Sequence, residues 1–98
     1  MYYFLALDKL TSARCTLDEW LIFESSPSHF IAQAFINGMK ITTRFCGIDY
    51  FPDEDSPFLY ETTISGGLYD GEELRYNSRH KAMQGHVMVC QSILNTCL

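Results

Sequence analysis

Gly85-His86 is the neighbouring pair with the most chemical content in this sequence. An imidazole titrates near neutral pH and can serve as base, acid or ligand. A glycine inside a helical stretch costs about 1 kcal/mol relative to alanine, so it requires a reason. His86 falls on an apolar stripe with Ala82, Met83, Val89, Cys90, Ile93 and Leu94 at three- and four-residue spacing. Its bland reading is a buried histidine bonded to a backbone carbonyl or a tyrosine, with Gly85 allowing close helix-on-sheet packing. Cys90, four residues on, stands at acceptable zinc-ligand spacing, but further ligands would have to come from Cys46, Asp49, His80 or His29, none at motif spacing. A Cys–His nucleophile would need an accessible, stabilised thiolate and a third group to orient the imidazole. Neither is indicated, so no metal, no cofactor and no catalytic residue is expected.

A second constellation is cationic. Arg75, Arg79, His80 and Lys81 surround Ser78, where free amides at a helix start could hold an anion. The competing reading is a solvated first turn, although the helix dipole disfavours cations there. Gly66-Gly67 lacks the lysine and helix of a phosphate loop. The run Asp53-Glu54-Asp55 lacks the glycine and closing glutamate of a calcium loop.

The carboxylates are more informative as a group than in pairs. Asp49, Asp53, Glu54, Asp55, Glu61, Asp70, Glu72 and Glu73 follow one another without an intervening Lys or Arg. That window carries −8 against −5 for the whole chain, leaving +3 elsewhere. Such polarity argues against direct nucleic-acid binding and fits a basic protein partner. An ordinary solvated loop and hairpin is the competing reading.

The elements that must position these groups fit one domain over residues 1–98, with 47% apolar residues, enough for a single core. The N-terminal apolar run has no basic stretch before it and is too short for a secretory core or a membrane span. Reduced thiols are therefore expected at Cys15, Cys46, Cys90 and Cys97, and a monomer without membrane contact is the default. Residues 2–7 read as a central strand. Thr16-Leu17-Asp18-Glu19 is a capping box opening a short helix that ends before Pro27. Asn37-Gly38 accepts the positive φ of a type I′ turn. A two-residue turn there pairs Ile36 with Met39, Ala34 with Ile41, Ala32 with Thr43 and Phe30 with Phe45. Residues 49–57 read as a loop and 58–65 as a strand, with a bulge or close approach at Gly66-Gly67. Asp70-Gly71 is a second type I′ candidate before the strand 72–76, and Ser78 caps a helix to about Asn95. The expected fold is α+β: an antiparallel sheet of four to five strands with two helices on one face, in the order β-α-β-β-β-β-α.

Several of these segments also occur together elsewhere. Leu17-Asp18-Glu19-Trp20 with Phe23-Glu24, Thr42-Thr43 with Gly47-Ile48-Asp49, Tyr60-Glu61-Thr62, Gly66-Gly67, Asp70-Gly71-Glu72, Arg75-Tyr76, and Ala82 with Gly85-His86 appear in that order. In this, residues 17–94 resemble a family of small uncharacterised bacteriophage proteins, while the first sixteen residues depart from its pattern. The resemblance implies a phage or prophage origin and a setting in the host cytoplasm or the virion, and it brings no activity. The expected function is a non-catalytic phage accessory protein that binds a host or phage protein through the acidic 49–73 side. Inhibition of a host-takeover or defence target is one form this could take. The alternatives are a nucleotide- or phosphate-binding or small enzymatic domain built on the Ser78 helix start, and a virion or assembly component.

Overall fold

The computed structural model describes residues 2–5, 12–24, 29–49 and 57–96. Along these the order is β1 (Tyr2–Leu5), β2 (Ser12–Cys15), α1 (Leu17–Glu24), β3 (Phe30–Ile36), β4 (Met39–Phe45), β5 (Tyr60–Ser65), β6 (Glu73–Tyr76) and α2 (Arg79–Thr96). A four-stranded antiparallel sheet runs β3-β4-β5-β6, and β1 pairs with β2 in a separate two-stranded sheet. The expected α+β class, antiparallel sheet and two helices are all present, with one more strand than expected.

The β3–β4 hairpin is built by its turn. Asn37 and Gly38 have φ of 50° and 80°, the left-handed pair that a type I′ turn needs. Five pairs from Ile36↔Met39 to Ala32↔Thr43 follow in the expected register. Beyond them a bulge at Ile31 lets Phe30 pair with Arg44 instead of Phe45. The extra residue turns Ile31 toward the apolar cluster around Phe45, where it packs.

Strand alternation then divides the residues between two faces. Met39, Ile41, Thr43 and Phe45 of β4, with Tyr60, Thr62 and Ile64 of β5, face α2. Two apolar clusters lie on that side. One joins Phe45, Leu59, Tyr60 and Ala82; the other joins Met39, Ile41, Ile64 and Ile93. Helix α1 joins the first cluster through Phe23, whose ring meets Phe45 edge-on at 5.7 Å. Its capping box forms as the sequence predicts: Thr16 N donates to Glu19 Oε1 at 3.0 Å and Glu19 N to Thr16 Oγ1 at 3.2 Å.

Three expectations are corrected. The first strand is not central to the main sheet. It pairs with β2 and meets the sheet at its margin, where Tyr3 N donates to Gly47 O at 2.7 Å, Tyr2 bridges Ile48 and the Tyr3 side chain packs on the Phe45 cluster. The Ser-Ala-Arg-Cys segment of β2 carries no strand composition of its own, and its pairing with β1 makes it a strand. Asp70-Gly71 is not a type I′ turn, because Gly71 has φ of 90° while Asp70 does not enter the left-handed region. The chain reverses over a wider loop in which Asp70 Oδ1 accepts from Gly66 N at 2.6 Å. The last cysteine, Cys97, and the acids Asp53, Glu54 and Asp55 lie outside the described residues.

Candidate functional site

Between the two apolar clusters runs a line of hydroxyl groups ending on His86. Tyr76 Oη donates to Thr62 Oγ1 at 3.0 Å, Thr62 and Thr43 hydroxyls lie 2.6 Å apart, and Thr43 Oγ1 lies 2.7 Å from His86 Nδ1. Thr43, Thr62 and His86 are buried. One arrangement uses every hydroxyl proton: Tyr76 to Thr62, Thr62 to Thr43, Thr43 to Nδ1. It requires a neutral imidazole with its proton on Nε2. Burial, by lowering the pKa of His86, favours that same neutral form.

Gly85 makes this possible. A Cβ at this position would lie 2.3 Å from atoms of the Tyr76 ring and hydroxyl. The glycine is therefore a notch in α2 that receives the tyrosine. The sequence marks Gly85-His86 as needing a packing reason, and the reason is this ring. Thr43 and Thr62 carry no such mark, since threonine is ordinary in strands. Their signal lies only in phase: both fall on the side of the sheet that alternation assigns to the core. His86 shares no site with Cys90, which packs beside the Met39–Ile41 cluster.

On the opposite face the acid expected at the centre of an acidic surface is instead enclosed. Glu61 is buried and accepts from two arginines, Arg44 Nε at 2.9 Å and Arg75 Nη2 at 3.2 Å, while Arg44 also pairs with Glu24. Registry makes the ladder: Arg44, Glu61 and Arg75 are direct cross-strand neighbours. Asp49 is buried as well. Of the eight acids, those described and exposed are Asp70, Glu72 and Glu73, on the β5–β6 loop and the start of β6.

The cationic constellation is divided by the same alternation. Arg75 points to the face away from α2, where it also approaches Cys46 Sγ at 3.3 Å. Arg79, His80 and Lys81 begin α2 on the other side. Ser78 caps that helix, accepting from Lys81 N at 3.1 Å, so its hydroxyl already serves the first turn. Burial pushes the Cys46 thiol up, away from a reactive thiolate, even with Arg75 beside it. Among the described residues no three His, Cys, Asp or Glu side chains come together as a metal site. No helix among them is long and apolar enough to cross a membrane.

An open apolar groove lies between β6 and α2. It has a volume of about 470 Å³, with Ile64, Tyr69, Leu74 and Tyr76 on one wall and Met88 and Val89 on the other. Leu74 and Met88 are exposed although large and apolar. No residue of this groove was singled out by sequence reasoning as a binding group. The available signal was Met88, an apolar residue on the polar side of the helical stripe. The chain matches no protein-family model, no curated protein and no solved structure.

Proposed function

We propose that the chain is a non-catalytic phage accessory protein that binds a basic, apolar segment of a host or phage protein in the groove between β6 and α2. The observation that carries this reading is the groove itself: an open apolar trough whose walls continue directly into acidic residues. Tyr69 and Leu74 line it, and the exposed Asp70, Glu72 and Glu73 lie between them in the chain. Apolar walls supply affinity through burial, at about 25 cal/mol per Å² of surface covered. The carboxylates steer a cationic partner and select against acidic ones. The polar groups best suited to chemistry are engaged with one another, His86 on Thr43 and Arg75 on Glu61, which favours binding over catalysis. The phage origin and the host-cytoplasmic setting rest on the family resemblance.

Affinity capture from the infected host, with tagged wild type and two variants, tests this reading. Met88→Asp places a charge in the groove, and the double change Asp70→Lys with Glu72→Lys reverses its rim. Both variants are expected to lose the same captured protein. Wild-type capture is expected to weaken steeply as salt rises, because screening acts over about 8–10 Å. A folded Met88→Asp variant that captures the same protein as wild type would place the site elsewhere.

A further inference from the structure

We infer that the chain forms a homodimer through β3, two copies pairing antiparallel about Gln33 to join their four-stranded sheets into one of eight strands. This surface lies at the other edge of the sheet from the groove, and it replaces the monomer expected from sequence.

The first support is the state of the edge. Among the described residues β3 has one strand neighbour, β4. In a hairpin closed by a two-residue turn, the flanking Ile36 and Met39 exchange both backbone hydrogen bonds. By alternation Ala34 and Ala32 also bond toward β4, and the backbone groups of Phe35 and Gln33 point away from it. Exposed edges are ordinarily blunted by charge, proline or shortness. β3 is seven residues long, Phe-Ile-Ala-Gln-Ala-Phe-Ile, without charge or proline. Phe35 is 74% exposed and Phe30 49%.

The second support is self-complementarity. A two-fold interface needs a self-complementary surface, because residue i meets j while j meets i. Outward from Gln33, alanine stands on both sides at Ala32 and Ala34, then Ile31 and Phe35, then Phe30 and Ile36. Pairing centred on Gln33 sets Ala32 against Ala34 on either side of the axis, and beyond them the bulge, not Ile31, places the bulky Phe30 on the open face. The bulge leaves Phe30 and Phe35 on the same open face, so each Phe35 meets the other copy's Phe30 region across the new ladder.

Charge and the neighbouring helix agree. Two molecules of net charge −5 repel, yet this edge is neutral. The exposed acids of β6 lie three strand spacings from it, about 14 Å, beyond the screening length of about 8–10 Å. On α2, Met83, Val87, Cys90 and Leu94 are spaced four, three and four apart. At about 100° per residue they occupy the flank opposite Gly85, Met88 and Ser92, which face the β6 side. They therefore flank β3, with Met83, Val87 and Leu94 each about half exposed. Apolar surface thus extends the same boundary beyond the strand.

Sedimentation velocity of the full chain across micromolar to millimolar concentration, with residue-resolved amide exchange, tests the dimer. Wild type is expected to dimerise, and the Gln33 and Phe35 amides to exchange more slowly as concentration rises. Phe35→Glu sets a charge on the edge opposite Lys40, so the hairpin tolerates it. Gln33→Pro removes an outward N–H that β4 does not use. Each is expected to weaken dimerisation at least about tenfold with an unchanged circular dichroism spectrum. If Gln33→Pro fails to fold, Phe35→Glu carries the test alone. A wild type that stays monomeric, a dimer whose Gln33 and Phe35 amides exchange as in the monomer, or a folded Phe35→Glu variant that dimerises equally would overturn the proposal. None of these outcomes depends on groove binding, which Met88→Asp tests separately.

Discussion

Tyr76 and Gly85 compete for one volume, and the tyrosine holds it. Alanine at 85 would gain about 1 kcal/mol in helix propensity, but its Cβ would stand 2.3 Å from the ring. Overpacking of this kind costs about 1–3 kcal/mol. Chemical denaturation of Gly85→Ala is therefore expected to show a net loss of up to about 2 kcal/mol. In a Tyr76→Leu background the same change becomes neutral or stabilising, because the obstructing atoms are gone. His86 gives a pH prediction. Its folded pKa lies below the ordinary value of about 6.5, so stability is full where both states are neutral, above that value. As pH falls below it the unfolded chain takes up a proton that the folded chain refuses, and stability declines until the folded pKa is passed. His86→Gln, which keeps an acceptor for Thr43 but does not titrate, is expected to show a smaller loss between pH 7.5 and 5.5 by urea denaturation. The need for a reason at Gly85-His86 was legible in the sequence. Which side chains supplied it was not, because a hydroxyl line across three elements exists only after the strands are in register.

Turns and caps were the most legible elements, since their chemistry is local. Asn37-Gly38 carries its own φ requirement, and Gly38→Val is expected to cost at least about 1 kcal/mol by denaturation, from strain at positive φ. Nothing lies within 4 Å of a Cβ there, so the loss would come from backbone conformation and not from crowding. Thr16→Ala is expected to cost about 1 kcal/mol by removing the acceptor of the Glu19 amide. Apart from the Asp70-Gly71 turn, what failed depended on partners distant in sequence. The bulge at Ile31 answers to the Phe45 cluster, and β2 exists because β1 pairs with it. Glu61 was read with the acids around it in sequence, whereas its neighbours in space are two arginines, fourteen and seventeen residues away.

Across the whole molecule, the sheet separates two kinds of boundary: a neutral β3 edge and an acidic β6 side next to the groove. The smaller β1–β2 sheet and α1 form a third region, joined to the main sheet by Tyr3 and Phe23 on the Phe45 cluster, by the Glu24–Arg44 pair and by contacts around residues 46–48. Two are backbone links from Tyr2 and Tyr3; another is the indole of Trp20, whose Nε1 donates to Cys46 O at 2.9 Å while its ring rests 5.5 Å from Tyr2. Trp20 is the chain's one tryptophan, so the only indole emission comes from the joint between the two sheets. Its emission reports whether the joint is closed, while far-ultraviolet dichroism is dominated by the larger sheet and α2. No residue of α1 is fully buried and β2 is mostly exposed, so this region is expected to open before the buried core of the main sheet. In a urea titration, Trp20 emission should shift to the red at a lower concentration than the dichroism is lost. Coincident curves would show that the two sheets unfold together.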